Sequence, residues 1–134
     1  MRRREFIRAA GLTVAGGFAG CLGGSPASSK TVDMTDDLAF RPDAVSVAQG
    51  GTVTWENVGA VGHTVTAYED RLPDGATYFA SGAFESERAA RNDVTGGLIG
   101  EGETYTHTFD VRGTYEYFCI PHESTGMVGT VEVG

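Results

Sequence analysis

Cys119, His122 and Met127 fall within nine positions of one another, in a chain of 134 residues that holds two cysteines, three histidines and three methionines. The stretch is "YFCIPHESTGM", and the spacing is C-x2-H-x4-M. Thiolate and thioether are soft ligands that favour Cu(I), while imidazole accepts both Cu(I) and Cu(II). Two histidines and a cysteine in a plane, with a distant methionine on the axis, make a blue-copper electron-transfer site. The fourth ligand has to come from elsewhere. His63 is the better candidate, because "VGHTV" places it where a glycine-rich loop enters a strand. His107 lies mid-strand among aromatics and reads as structural. Singly, the cysteine would be a buried core thiol, the methionine core filler and His63 a loop histidine. Grouped at this spacing, they predict one copper ion cycling between Cu(I) and Cu(II).

The elements that have to position these residues read as strands and turns. In "AVSVAQGGTVTWEN", Val45 and Val47 share one face, and after the turn at Gly50 and Gly51, Val53 and Trp55 share another. The same period places His63, Val65 and Ala67 together in "HTVTA", and Tyr105, His107, Phe109 and Val111 together in "TYTHTFDV". "TYEYFC" puts Tyr115, Tyr117 and Cys119 on one face, and "MVGTVEV" closes the chain as a last strand. Glycines at Gly102 and Gly113 mark turns. Many short alternating strands predict an all-β sandwich. Residues 68–100 break the pattern. Within them "FESERAARN", with Ser86 as cap, predicts one short helix in a long loop. "ESTG" gives the ligand loop room to turn, with Gly126 just before Met127. Trp55 and the tyrosines read as core, and the acidic residues as a solvated face.

Residues 31–134 resemble the plastocyanin-type cupredoxins, and most of all the haloarchaeal halocyanins within that family. "VTWEN", "GHTVT", "GTYEYFCIPHESTGMVGTVEV" and the acidic body carry the resemblance. It implies a Greek-key β-sandwich, copper held by His63, Cys119, His122 and Met127, and shuttling of single electrons. It also implies that His122 lies near the surface at an apolar patch where partners dock. Two positions depart from the family. Thr64 stands where most relatives have an asparagine that steadies the cysteine loop, which leaves that bond open. Phe118 stands where plant relatives have tyrosine, so a second electron route through that side chain is less assured.

The first twenty residues read as an address. The basic head of "MRRREFIRAAGLTVAGGFAGC" precedes a short, mildly apolar segment, the layout of a secretory signal too short to span a bilayer. "RREFI" resembles a twin-arginine export signal, and "FAGC" resembles a lipobox whose cysteine becomes a lipidated N-terminus. The organisation expected is a signal over 1–20, a lipid anchor at Cys21, a flexible tether over 21–30, and one domain over 31–134. The alternative is an ordinary cleaved signal with an incidental cysteine. With lipid on Cys21, Cys119 has no disulfide partner, which leaves its thiol for another purpose. The location expected is the outer face of the cytoplasmic membrane, as a lipid-anchored monomer.

Charge narrows the partners. The formal net charge is −8 and the isoelectric point about 4.7, which argues against nucleic acid. Four of the ten basic residues and one of the eighteen acids lie in the first twenty positions, so the rest of the chain carries a net −11. Lys30 is the one lysine. A surface dense in carboxylates suits very salty water. The partners expected are membrane-bound electron donor and acceptor proteins of respiratory type. Three rivals compete with the electron carrier. A copper enzyme needs further copper sites, for which only His107 remains. A copper chaperone would bind Cu(I) without a stable blue oxidised form. A zinc site is disfavoured because methionine is a poor zinc ligand.

Overall fold

Alternating apolar side chains build two sheets that face each other across one core. The computed structural model describes residues 28–134. The segments read as an export signal and a lipobox, with Cys21, lie outside them. The strands are β1 (Ser29–Thr35), β2 (Ala39–Arg41), β3 (Ala44–Val47), β4 (Gly51–Asn57), β5 (Thr66–Ala67), β6 (Thr104–Phe109), β7 (Gly113–Phe118) and β8 (Val128–Val133). One sheet has the order β2-β1-β4-β6 and the other β3-β8-β7-β5. β1 runs parallel to β4 and β3 parallel to β8, while the remaining pairs are antiparallel. This is the all-β sandwich expected, with one short α-helix, α1 (Glu87–Asn92), among the described residues.

The alternation holds along most strands. Val45 and Val47 point inward from β3, and Val53 and Trp55 from β4. Phe109, Tyr115 and Tyr117 close the core from β6 and β7. Trp55 sits at its centre, edge-on to Tyr117 with centroids 5.2 Å apart and stacked on Phe79 at 6.2 Å. Aromatic pairs at such distances add about 0.5–1.5 kcal/mol each beyond the area they bury. Gly50 turns β3 into β4 at φ 84°, a conformation that a side chain disfavours.

Two expectations shift. The first strand begins at Ser29, two residues inside the segment read as tether. Ser29 lies opposite Thr52 and Lys30 opposite Val53, and the Thr52 N–H donates to the Ser28 carbonyl at 2.9 Å. Edge pairing needs only backbone, so the polar side chains of "SSK" hide it. "HTVTA" does not alternate either. All five residues from His63 to Ala67 are buried, and β5 covers only Thr66–Ala67. The long connection folds back over this segment, with Ala67 N–H donating to Phe79 and Ser81 N–H to Val65. Both faces are thus covered, and the two threonines lie inside.

Helix α1 starts where the sequence places it. The Ser86 hydroxyl accepts from the Ala89 N–H at 3.0 Å, which satisfies one of the free donors of the first turn.

Candidate metal centre

Three chain segments meet at one end of the sandwich. β7 ends at Phe118, so Cys119 leaves the sheet at its rim, and Ile120–Thr125 coils as 3-10 turns with Pro121 in the second position. Pro121 suits that place because its missing N–H has no partner to lose there. Gly126, at φ 93°, then reverses the chain. The Cys119 N–H donates to the Met127 carbonyl at 3.0 Å, and the Met127 N–H to the His122 carbonyl at 3.2 Å. These bonds tie the backbones of all three residues together. His63 arrives from the loop between β4 and β5. It exchanges two backbone bonds with Ile99, at 3.2 and 2.7 Å.

The imidazoles present the same atom to the sulfur. Cys119 Sγ lies 3.8 Å from His63 Nδ1 and 3.4 Å from His122 Nδ1. The donor atoms of these three residues all lie within 4.8 Å of one another. The two sulfur–nitrogen separations are within the span of a bond of about 2 Å to nitrogen and one of about 2.3 Å to sulfur, the lengths typical of an ion such as zinc, so the three residues would hold a single ion. Cys119, His63 and Met127 are fully buried and His122 is partly exposed. Burial, then the neighbouring His122, holds the His63 imidazole below its usual range, so it is neutral with a lone pair to give. Burial pushes the Cys119 thiol up, against the pull of the Thr64 N–H that points at it. Loading a metal therefore releases the Cys119 proton. A buried thiol and two buried or half-buried imidazoles, with a methionine locked beside them, fit copper by donor type.

Thr64 makes the bond that its departure from the family pattern left open. Its Oγ1 accepts from the Ile120 N–H at 2.8 Å, and its own N–H lies 3.4 Å from Cys119 Sγ. A hydroxyl oxygen is a competent acceptor, so residue 64 steadies the cysteine loop here. Phe118 is fully buried and stacks on Tyr68.

Several supports escape a reading of the sequence alone. Asn57 Nδ2 donates to the carbonyls of Val61 and Ile99, at 2.7 and 2.9 Å. Asp36 Oδ1 accepts from Ala60 and Val61 N–H, at 2.9 and 3.0 Å. Both fix the loop that delivers His63. Asn57 carries a signal in "VTWEN", since it continues the period-two face of Val53 and Trp55 and so puts an amide where the strand faces inward. Asp36, on the turn between β1 and β2, carries none. His107 stays out of the centre, stacked on Phe79 at 4.6 Å and edge-on to Phe109 at 4.7 Å.

Residues 27–134 match the family of copper binding proteins described as plastocyanin/azurin. The chain is 36% identical over 130 residues to the chloroplastic plastocyanin of Tetradesmus obliquus, covering 97% of this chain and 81% of that one. It is 38% identical over 96 residues to the plastocyanin of Scenedesmus fuscus, covering 72% of this chain and 87% of the relative. Among solved structures, oxidised plastocyanin from Dryopteris crassirhizoma superposes with a TM-score of 0.56 at 25% identity, over 78% of this chain and 99% of that one.

Proposed function

The chain belongs to the plastocyanin/azurin family of copper-binding proteins, and from that premise we propose that it is a halocyanin-like one-electron carrier tethered to a membrane through Cys21. The coarser statement, a blue-copper electron-transfer protein of plastocyanin type, follows from membership and from the site. The observation that carries it is the convergence of His63 Nδ1, Cys119 Sγ and His122 Nδ1. Bound copper supplies a Cu(I)/Cu(II) couple whose ligands suit both states.

The residues of this chain do the rest. Burial of Cys119, His63 and Met127 keeps water from the donors. The fold ties all four residues by backbone bonds, so little has to rearrange when an electron arrives or leaves. His122 is the ligand nearest solvent, which makes its edge the natural electron exit. Leu98 packs beside Gly62, next to His63, and it is 43% exposed. Val61 and Val58, on the same loop, are 37% and 52% exposed. These side chains support the reading of an apolar docking face for membrane-bound donor and acceptor proteins.

The test of the centre is the visible and EPR spectrum of the copper-loaded protein. The oxidised protein is expected to be intensely blue, and Cys119→Ser colourless; a variant that stays blue ends this reading. The test of the tether is separate. Cys21→Ser should move the protein from the membrane fraction to the soluble one with its colour intact. Retention on the membrane would refute an anchor at that cysteine.

A further inference from the structure

Two side chains of the long connection between β5 and β6 lie against the same two residues of the ligand segment. Those residues are Phe118, directly before Cys119, and Glu123, directly after His122. Tyr68 stacks on the Phe118 ring, with centroids 4.3 Å apart and planes 28° apart. Its hydroxyl donates to Glu123 Oε2 at 2.7 Å. Arg91, on α1, holds its guanidinium carbon 4.3 Å from the Phe118 centroid. Its Nη1 and Nη2 donate to Glu123 Oε1 and Oε2 at 2.8 and 3.2 Å. Each side chain thus makes one contact just ahead of the first ligand and one just behind the second.

Further contacts hold the pair in place. Arg91 Nε donates to Glu87 Oε2 at 2.9 Å, so three of its nitrogens are engaged. Glu87 and Glu69 each accept from the other's backbone N–H at 3.0 Å, which joins α1 to the turn beside Tyr68. Arg71 lies over the Tyr68 ring at 4.4 Å and pairs with Glu116 on β7 at 2.8 Å. An isolated surface ion pair is worth little, because two long side chains lose their freedom to make it. A two-pronged arginine–carboxylate pair laid on an aromatic ring is the stronger and more directional case.

His122 is the ligand that most needs such support. His63 is fully buried and exchanges two backbone bonds with Ile99. His122 is partly exposed, and its backbone leaves helical geometry within the 3-10 turns, at φ −125° and ψ 15°. We propose that Tyr68 and Arg91 are positioning residues of the metal centre: by gripping Phe118 and Glu123 they fix His122 against Cys119, so that this pair of ligands keeps one arrangement in both oxidation states. The proposal rests on the copper reading above.

The test uses the full domain with three single variants. Arg91→Met keeps an apolar stem over Phe118 and removes the guanidinium. Tyr68→Phe keeps the ring and removes the hydroxyl. Arg88→Met removes one positive charge from an exposed site on the same helix that has none of these contacts. Electron self-exchange is measured on the copper protein, and amide relaxation dispersion on the copper-free protein. Coupling of this kind should slow self-exchange about tenfold in Arg91→Met. It should also add exchange broadening at the His122 and Glu123 amides without copper. Tyr68→Phe should move both readouts in the same direction by less, and Arg88→Met should move neither.

Wild-type self-exchange with quiet amides in Arg91→Met would overturn the proposal. So would an equal slowing in Arg88→Met, since charge alone would then account for it. If Arg91→Met fails to fold, Tyr68→Phe with a wild-type circular dichroism spectrum decides in the same way. A wild-type protein that never turns blue would sink the copper reading instead, and the copper-free relaxation data would still judge the grip.

Discussion

At the scale of single residues, Thr64 does work that its identity does not advertise. Its hydroxyl is the acceptor for the Ile120 N–H, and it also accepts from Thr66 Oγ1 at 3.3 Å. Thr64→Val preserves shape but strands these donors, and a stranded buried donor costs about 1–3 kcal/mol. Urea unfolding of the copper-free variant should show a loss in that range, with Thr64→Ser near wild type. No loss in Thr64→Val would mean that the bond contributes nothing. His107 supplies a second prediction. Burial among Phe79 and Phe109 holds its imidazole below the usual 6.5, with nearby Asp110 pulling the other way. The unfolded chain therefore takes up a proton near 6.5 and the folded protein only at lower pH. Stability is complete above that value and falls as pH drops from it towards the folded pKa. The copper-free wild type should lose more melting temperature on acidification through this window than His107→Phe. Parallel curves would show that His107 does not titrate differently on folding.

At the scale of elements, two glycines after His122 shape the return of the chain for different reasons. Gly126 has φ 93° and open space where a Cβ would stand. An alanine there meets no atom but is forced into left-handed backbone, at about 1–2 kcal/mol. Gly129, on β8, packs under the Tyr117 ring, which a Cβ would strike. Gly126→Ala should lower the urea midpoint by the backbone term alone, and Gly126→Asn should recover part of it, since asparagine tolerates that region. Gly129→Ala should be the more damaging, because Tyr117 is packed between Trp55 and Phe40 and has no room to retreat. Equal midpoints for the two alanine variants would contradict this division.

For the whole molecule, charge is the governing quantity. Residues 21–134 carry 6 basic and 17 acidic side chains, a net −11. Folding brings these carboxylates together, so repulsion opposes the compact state. At about 1 M salt the Debye length falls to about 3 Å and the repulsion is nearly silenced; at about 0.01 M it reaches about 30 Å. The melting temperature of the copper-free protein should therefore rise steadily with salt. Bound copper should offset part of the loss in dilute buffer, because it stabilises only the folded state. A melting temperature flat across the series would refute salt adaptation.

The sandwich, the helix cap and three of the four ligands are legible along the chain before it folds. Those features are local. Period-two alternation sets which side chains of β3, β4, β6 and β7 face inward, Ser86 caps its own helix, and Cys119, His122 and Met127 share one loop. Contacts between distant parts of the chain are set by folding. It brought His63 within 3.8 Å of a sulfur 56 residues away, buried both faces of "HTVTA", and gave β1 two residues of apparent tether. It also turned Glu123 from one acid among many into the partner of Arg91 and Tyr68. Such contacts leave no periodic trace, because a hydrogen bond or a stacked ring asks only that two groups meet in space. Thr64 shows the same limit from the other side. The loop requires an acceptor oxygen at one point, and which residue type supplies it becomes visible only when the Ile120 N–H is seen to reach it.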